Sequence, residues 1–197
     1  MNALPELAVV VPVKNEAGNI LPLVTEIYAA LDGKVEFEIV YVDDGSTDST
    51  AHKLAEARQR FPRLRFIRHR ASCGQSQAIA TAVRHASAPV IAMLDGDGQN
   101  DPADIPGMLA RWRAEPEASR EKLLIAGWRA NRKDTSSRRW ASKAANAIRA
   151  WALKDDTPDT GCGSKLFSRA LFLDQPRFDH MHRYLPALSL IHISEPT

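Results

Sequence analysis

The sequence predicts an α/β domain with an open, mostly parallel sheet flanked by helices. Three observations carry this expectation. Residues 7–13 and 90–94 are continuous apolar runs, and 37–42 is a similar run interrupted only by Glu38, the pattern of strands buried on both faces. Between them apolar residues recur at helical spacing, so strand and helix alternate along the chain. Each run also ends in a polar cluster: Lys14-Asn15-Glu16, Asp43-Asp44-Gly45-Ser46 and Asp95-Gly96-Asp97. Open α/β sheets bind their ligands there, outside the carboxyl ends of the strands.

The elements follow in order. After the first run, Ile20, Leu23, Val24, Ile27 and Leu31 mark one face of a helix. The second run leads into a turn, Gly45-Ser46-Thr47-Asp48, and a helix over 48–60 that a Ser46 or Thr47 hydroxyl is placed to cap. A short strand over 64–67 and a helix over 75–86 precede the third run, and another short strand is expected at 123–126. The charged stretch 115–122 reads as an exposed connection, and Trp140, Ala144, Ile148 and Trp151 mark an amphipathic helix. No internal repeat or low-complexity tract appears, so residues 1–188 are expected to form one catalytic domain. Residues 189–197 break the preceding pattern and read as a non-native tail on a C-terminally truncated chain.

A chain of 197 residues, 44% of them apolar, can bury the core of one domain. The net charge of +2 does not point to a nucleic-acid partner. Charge is nevertheless concentrated: Arg129, Arg132, Lys133, Arg138, Arg139, Lys143 and Arg149 stand in a stretch with a single acid, Asp134, and suit an anionic partner. Cys73 and Cys162 form neither a Cys-x-x-Cys pair nor a disulfide framework, which fits a reducing cytosol. No run approaches the roughly 18 apolar residues of a membrane span, and no secretory leader opens the chain, so a cytoplasmic protein is expected.

The chemistry concentrates in the polar clusters. Asp95 and Asp97, an i, i+2 pair on extended chain, project to one side and make a two-carboxylate site. Mg²⁺ or Mn²⁺ prefers such oxygen ligands and keeps positions open for phosphate oxygens, with Gln99 as a third donor. An Asp-x-Asp pair alone is more often a solvated turn; its place at the end of a buried strand favours the site. A carboxylate at Asp43 or Asp44 can accept hydrogen bonds from a nucleobase N–H or a ribose hydroxyl, and Glu16 can share that task.

Pro12-Val13-Lys14-Asn15-Glu16, Val42-Asp43-Asp44-Gly45-Ser46-Thr47-Asp48 and Asp95-Gly96-Asp97-Gly98-Gln99-Asn100-Asp101-Pro102, in this order, resemble the family 2 glycosyltransferases with the Rossmann-like GT-A fold. Gly127-Trp128-Arg129, Arg132-Lys133, the helix at 137–146, the segment 159–165 and the segment 181–186 resemble the dolichyl-phosphate mannosyltransferase-like subgroup, which glycosylates dolichyl or undecaprenyl phosphate. The likeness covers residues 7–188. It implies that Pro12, Asn15, Glu16, Asp43, Asp44 and Ser46 hold the nucleoside and that Asp95, Asp97 and Gln99 hold Mg²⁺ or Mn²⁺. Arg129 and Arg132 would reach phosphates, where a guanidinium fork matches the oxygens. Lys165 and His182 would meet the nucleotide sugar, and Asp159 would orient the acceptor or act as a base. Two positions depart from the family pattern: Lys14 stands where many members carry an aromatic residue, and Ser164-Lys165 where many carry Phe-Arg.

The resemblance further implies inverting transfer from a nucleotide diphosphate sugar to a polyprenyl phosphate at the inner face of the membrane. A phosphate monoester is mostly dianionic at neutral pH, so such an acceptor needs little help from a base. Two alternatives share the donor half: transfer to a sugar hydroxyl, and a silent nucleotide-sugar binding module.

Overall fold

A computed structural model of the chain describes residues 4–128, 163–176, 178–185 and 191–196. The expectations for Arg129, Arg132, Asp159 and the helix at 137–146 lie outside these residues.

The centre is a mixed sheet. Strands β1 (Leu7–Val13), β2 (Phe37–Asp43), β3 (Leu64–Arg68) and β4 (Val90–Met93) run parallel. Strand β5 (Leu123–Trp128) is separated from β4 by β6 (Lys165–Ser168), which is antiparallel to both. Strand β7 (Ile191–Pro196) lies parallel to β5, so the sheet order is β3-β2-β1-β4-β6-β5-β7. Residues 191–196, within the stretch 189–197 expected as a tail, form that edge strand, in register from Leu123 opposite Ile191 to Trp128 opposite Pro196.

Alternation along β1 explains the layering. Val9, Val11 and Val13 face a core closed by α1 (Ile20–Leu31), α2 (Thr50–Arg60) and α4 (Ile105–Ala114). Ala8 and Val10 face the opposite core, closed by α3 (Gln75–His85), a short helix α6 (Arg169–Asp174) and a 3₁₀ turn, Met181–Arg183. Both faces being covered is why β1, β2 and β4 are buried along their whole length and, apart from Glu38 and Asp43 of β2, apolar.

Several local expectations are corrected. Helix α2 begins at Thr50, and Asp48 serves its first turn: Asp48 Oδ1 accepts from Thr50 N at 2.9 Å. Ser46 and Thr47 lie too early to cap it and bind the loop after β1 instead. The charged stretch 115–122 contains one short helix, α5 (Glu117–Arg120), tied back by Arg120 Nε donating to the Glu115 carbonyl at 2.7 Å. Helix α4 was not among the sequence expectations; its Pro106 falls in the first turn, where the missing N–H costs nothing. Among the described residues no helix is long and apolar enough to cross a membrane.

Candidate active site

A cleft of about 460 Å³ opens at the carboxyl edge of the sheet. The end of β1 contributes Pro12, Val13, Lys14 and Glu16; β2 contributes Asp44; and β4 leads into Asp95, Gly96 and Asp97. The opposite wall is Ser72, Gly74, Gln75 and Ala78, from the entry to α3. The polar clusters thus meet because β1 lies between β2 and β4.

Two glycines allow the close packing around the carboxylates. A Cβ at Gly96 would collide with the Val13 side chain and lie 2.8 Å from the Pro12 carbonyl oxygen. A Cβ at Gly163 would collide with the Asp95 carboxylate and lie 2.7 Å from Asn100 Oδ1. The segment entering β6 is thereby seated directly on Asp95. Asp95 is half-buried, whereas Asp97 and Gln99 are exposed, and Asp97 Oδ1 accepts from Gln99 N at 3.0 Å.

The loops after β1 and β2 are laced together. Asn15 sits in the left-handed region at φ 58°, which asparagine tolerates better than most residues. Its N–H donates to Ser46 Oγ at 2.9 Å, and its Oδ1 accepts from Thr47 N at 2.9 Å. Glu16 N donates to Thr50 Oγ1 at 2.9 Å, and the Glu16 carboxylate accepts from Asn19 Nδ2 at 2.6 Å. Asn15 and Ser46 therefore shape the cleft through each other.

The adjacent aspartates have different surroundings. Asp43 is fully buried; its Oδ1 accepts from Ser46 N at 2.8 Å. Asp43 Oδ2 lies 3.2 Å from Arg68 Nε without hydrogen-bond alignment, so it is a buried acceptor with an ion-pair neighbour but no hydrogen bond. Asp44 lines the cleft and accepts four bonds: from Cys73 N (2.8 Å) and His69 Nδ1 (2.7 Å) at Oδ1, and from Ser72 Oγ (2.7 Å) and Gly74 N (2.9 Å) at Oδ2. Burial pushes the Asp44 carboxyl pKa up, but the four donors outweigh it and hold it below the ordinary value. Lys14 Nζ extends the network by donating to Ser72 Oγ at 3.1 Å. Asp44, His69 and Cys73 offer atoms within 4.8 Å of one another. However, His69 Nδ1 and Cys73 N are already bonded to Asp44 Oδ1, and His69 Nε2 lies 3.0 Å from Thr81 Oγ1. The trio is a hydrogen-bonded brace for the loop.

Gln75, absent from the sequence expectations, opens α3 and donates from Nε2 to Asp95 Oδ1 at 2.9 Å. Nothing in the sequence marks it, because its partner lies 20 residues away. His182 is buried, with Nδ1 2.8 Å from Ser76 Oγ in the first turn of α3. Lys165 is buried at the start of β6, paired in register with Met93, two residues before Asp95. The structure thus brings Pro12, Glu16, Asp44, Asp95 and Asp97 to one cleft. It also sets Asp43 beneath the surface and His182 against the helix that walls the cleft.

Fold and cleft together define a GT-A-type α/β domain. The model of glycosyl transferase family 2 matches residues 8–174, and the chain belongs to that family. Dodecaprenyl-phosphate galacturonate synthase of Rhizobium johnstonii is 36% identical over 189 residues, covering 92% of this chain and 53% of the relative. The chain therefore spans about half the length of that curated relative. Among solved structures, the mannosyltransferase PcManGT from Pyrobaculum calidifontis, in complex with GDP-Man and Mn²⁺, superposes with a TM-score of 0.72 at 22% identity. That match covers 99% of this chain and 56% of the other. Glucosyl-3-phosphoglycerate synthase from Mycobacterium tuberculosis, in complex with Mn²⁺, UDP-Glc and phosphoglyceric acid, gives a TM-score of 0.72 at 16% identity, over 96% of this chain and 69% of that one.

Proposed function

We propose that this chain carries the catalytic domain, residues 1–188, of an enzyme that moves a sugar from a nucleotide diphosphate sugar to a polyprenyl phosphate with inversion at the anomeric carbon. The observation that supports the acceptor class is the 36% identity to a dodecaprenyl-phosphate galacturonate synthase. Work at the inner face of the membrane follows from a prenyl acceptor held in the bilayer.

In this reading the nucleobase sits at the end of β2. Asp43 Oδ2 is a buried acceptor without a hydrogen bond, and a base N–H supplies the missing donor once the half-exposed Arg68 side chain moves off it. Pro12, Glu16 and Asp44 line the cleft beside it, and Asn15 and Ser46, bonded to each other, are assigned to support that wall. Asp95 and Asp97 offer carboxylate oxygens at an open cleft and fit a hard divalent cation, and the exposed Gln99 amide oxygen is assigned as a third donor. Mg²⁺ or Mn²⁺ bound there would supply charge neutralisation to the departing diphosphate. Arg129, Arg132, Lys165 and His182 are assigned to the phosphates and the sugar, and Asp159 to orienting the acceptor. The acceptor phosphate, with its second pKa near 6, attacks without a general base.

The test incubates the protein with a panel of UDP- and GDP-sugars, undecaprenyl or dolichyl phosphate, and Mn²⁺ or chelator. One donor should give a metal-dependent polyprenyl phosphosugar. Transfer to a sugar hydroxyl, with none to either lipid phosphate, would contradict the acceptor assignment.

A further inference from the structure

We propose that Gln75 is a positioning residue for Asp95, orienting its carboxylate toward a divalent cation; the proposal rests on the reading of Asp95 as a metal ligand. Gln75 Nε2 donates to Asp95 Oδ1 at 2.9 Å from the first residue of α3. The donor's place is fixed from behind. Asp44 holds Ser72 Oγ, Cys73 N and Gly74 N at 2.7, 2.8 and 2.9 Å. Gly74, at φ 88°, then turns the chain into the helix in a conformation that residues with a Cβ rarely adopt.

Asp95 is confined on another side as well, where Gly163 approaches so closely that a methyl group would not fit. The carboxylate is thus held between a packed glycine and an amide donor.

The chemistry of the donor matters. An amide is neutral, so it fixes the carboxylate without neutralising the charge that attracts a cation, as a lysine or arginine would. A carboxylate has about four lone-pair directions, and the Gln75 amide takes one of them. Hydrogen-bond partners behind a metal ligand commonly change metal affinity by about 10- to 100-fold. The same bond joins two parts of the cleft: β2 fixes the loop through Asp44, and the loop's next residue fixes the first carboxylate after β4.

The test measures Mn²⁺ binding by electron paramagnetic resonance with UDP or GDP present, for the parent, Gln75→Ala, Gln75→Met and Asp95→Asn. Nucleoside monophosphate binding without metal and the thermal midpoint are measured alongside. Both Gln75 variants should weaken Mn²⁺ binding by about 10-fold, while metal-free binding and the midpoint stay at parental values. Loss in Asp95→Asn with parental Mn²⁺ affinity in both Gln75 variants would overturn the positioning role and leave the metal site standing. Parental affinity in Asp95→Asn as well would remove both. A Gln75→Met variant that binds Mn²⁺ like the parent while Gln75→Ala does not would assign the effect to bulk and overturn the role of the amide. Equal losses of metal-free binding and thermal midpoint in the Gln75 variants would make the residue merely structural.

Discussion

Replacing Asp44 by alanine removes the acceptor of four hydrogen bonds at once, and the consequences can be sized. Hydrogen bonds to a charged group contribute about 1.5–3 kcal/mol each when buried. Cys73 and Gly74 lie on an exposed loop, so water replaces much of what their N–H groups lose. Ser72 is likewise exposed, whereas His69 is only partly so. A net loss of about 2–4 kcal/mol follows, which for a domain of this size lowers the thermal midpoint by roughly 4–16 °C. Asp44→Asn should fall between, because the amide keeps one acceptor but turns a donor toward another donor. The pH dependence has a defined sign. The Asp44 pKa is lowered in the folded state, so its stabilisation is complete above the unfolded carboxylate value of about 3.9 and disappears as pH falls through the lower folded value. Thermal denaturation followed by circular dichroism from pH 7 to pH 3 measures this. The parent should exceed Asp44→Asn at pH 7 and converge with it in acid. Equal midpoints at pH 7, or a gap that persists undiminished at pH 3, would refute the reasoning.

Three further outcomes are expected. Asp43→Ala should weaken nucleoside monophosphate binding by about 10-fold or more even without metal, whereas Asp95→Ala should spare it; calorimetry separates the two. Gly163→Ala should displace the Asp95 carboxylate and reduce Mn²⁺-dependent nucleotide binding, since the added methyl overlaps that side chain; unchanged Mn²⁺ affinity would contradict the packing. Glu38→Ala should destabilise without touching ligand affinity, by about 2–4 kcal/mol in urea denaturation. Its Oε1 accepts from Ser87 N, Ser87 Oγ and Ala88 N, and its Oε2 from Arg65 Nη2.

How much of this was legible in the sequence depended on the physics behind each feature. Strands β1, β2 and β4 are buried on both faces, and such burial leaves predominantly apolar runs, broken in β2 only by Glu38 before its terminal Asp43, that a reader can see. The acidic clusters at their ends were legible for the same reason. Strand β6, Lys165-Leu166-Phe167-Ser168, is four residues long with a polar residue at each end, so no period could betray it. The two aspartates of β2 and its turn look equivalent in sequence, but only backbone geometry decides that Asp43 turns under the sheet edge while Asp44 meets the loop at Ser72–Gly74. Gln75 was silent because a glutamine at a helix start is ordinary; its meaning lies in a contact 20 residues away.

The central claim is that the carboxyl edge of β1, β2 and β4 binds a nucleoside diphosphate through a cation on Asp95 and Asp97. Crystals soaked with Mn²⁺ and UDP or GDP, with diffraction recorded near the manganese absorption edge, test it most directly. The account predicts one anomalous peak within coordination distance of the Asp95 and Asp97 carboxylates, bridging to the diphosphate, with the base beside Asp43. Manganese bound elsewhere, or a nucleotide lying outside the cleft, would contradict it.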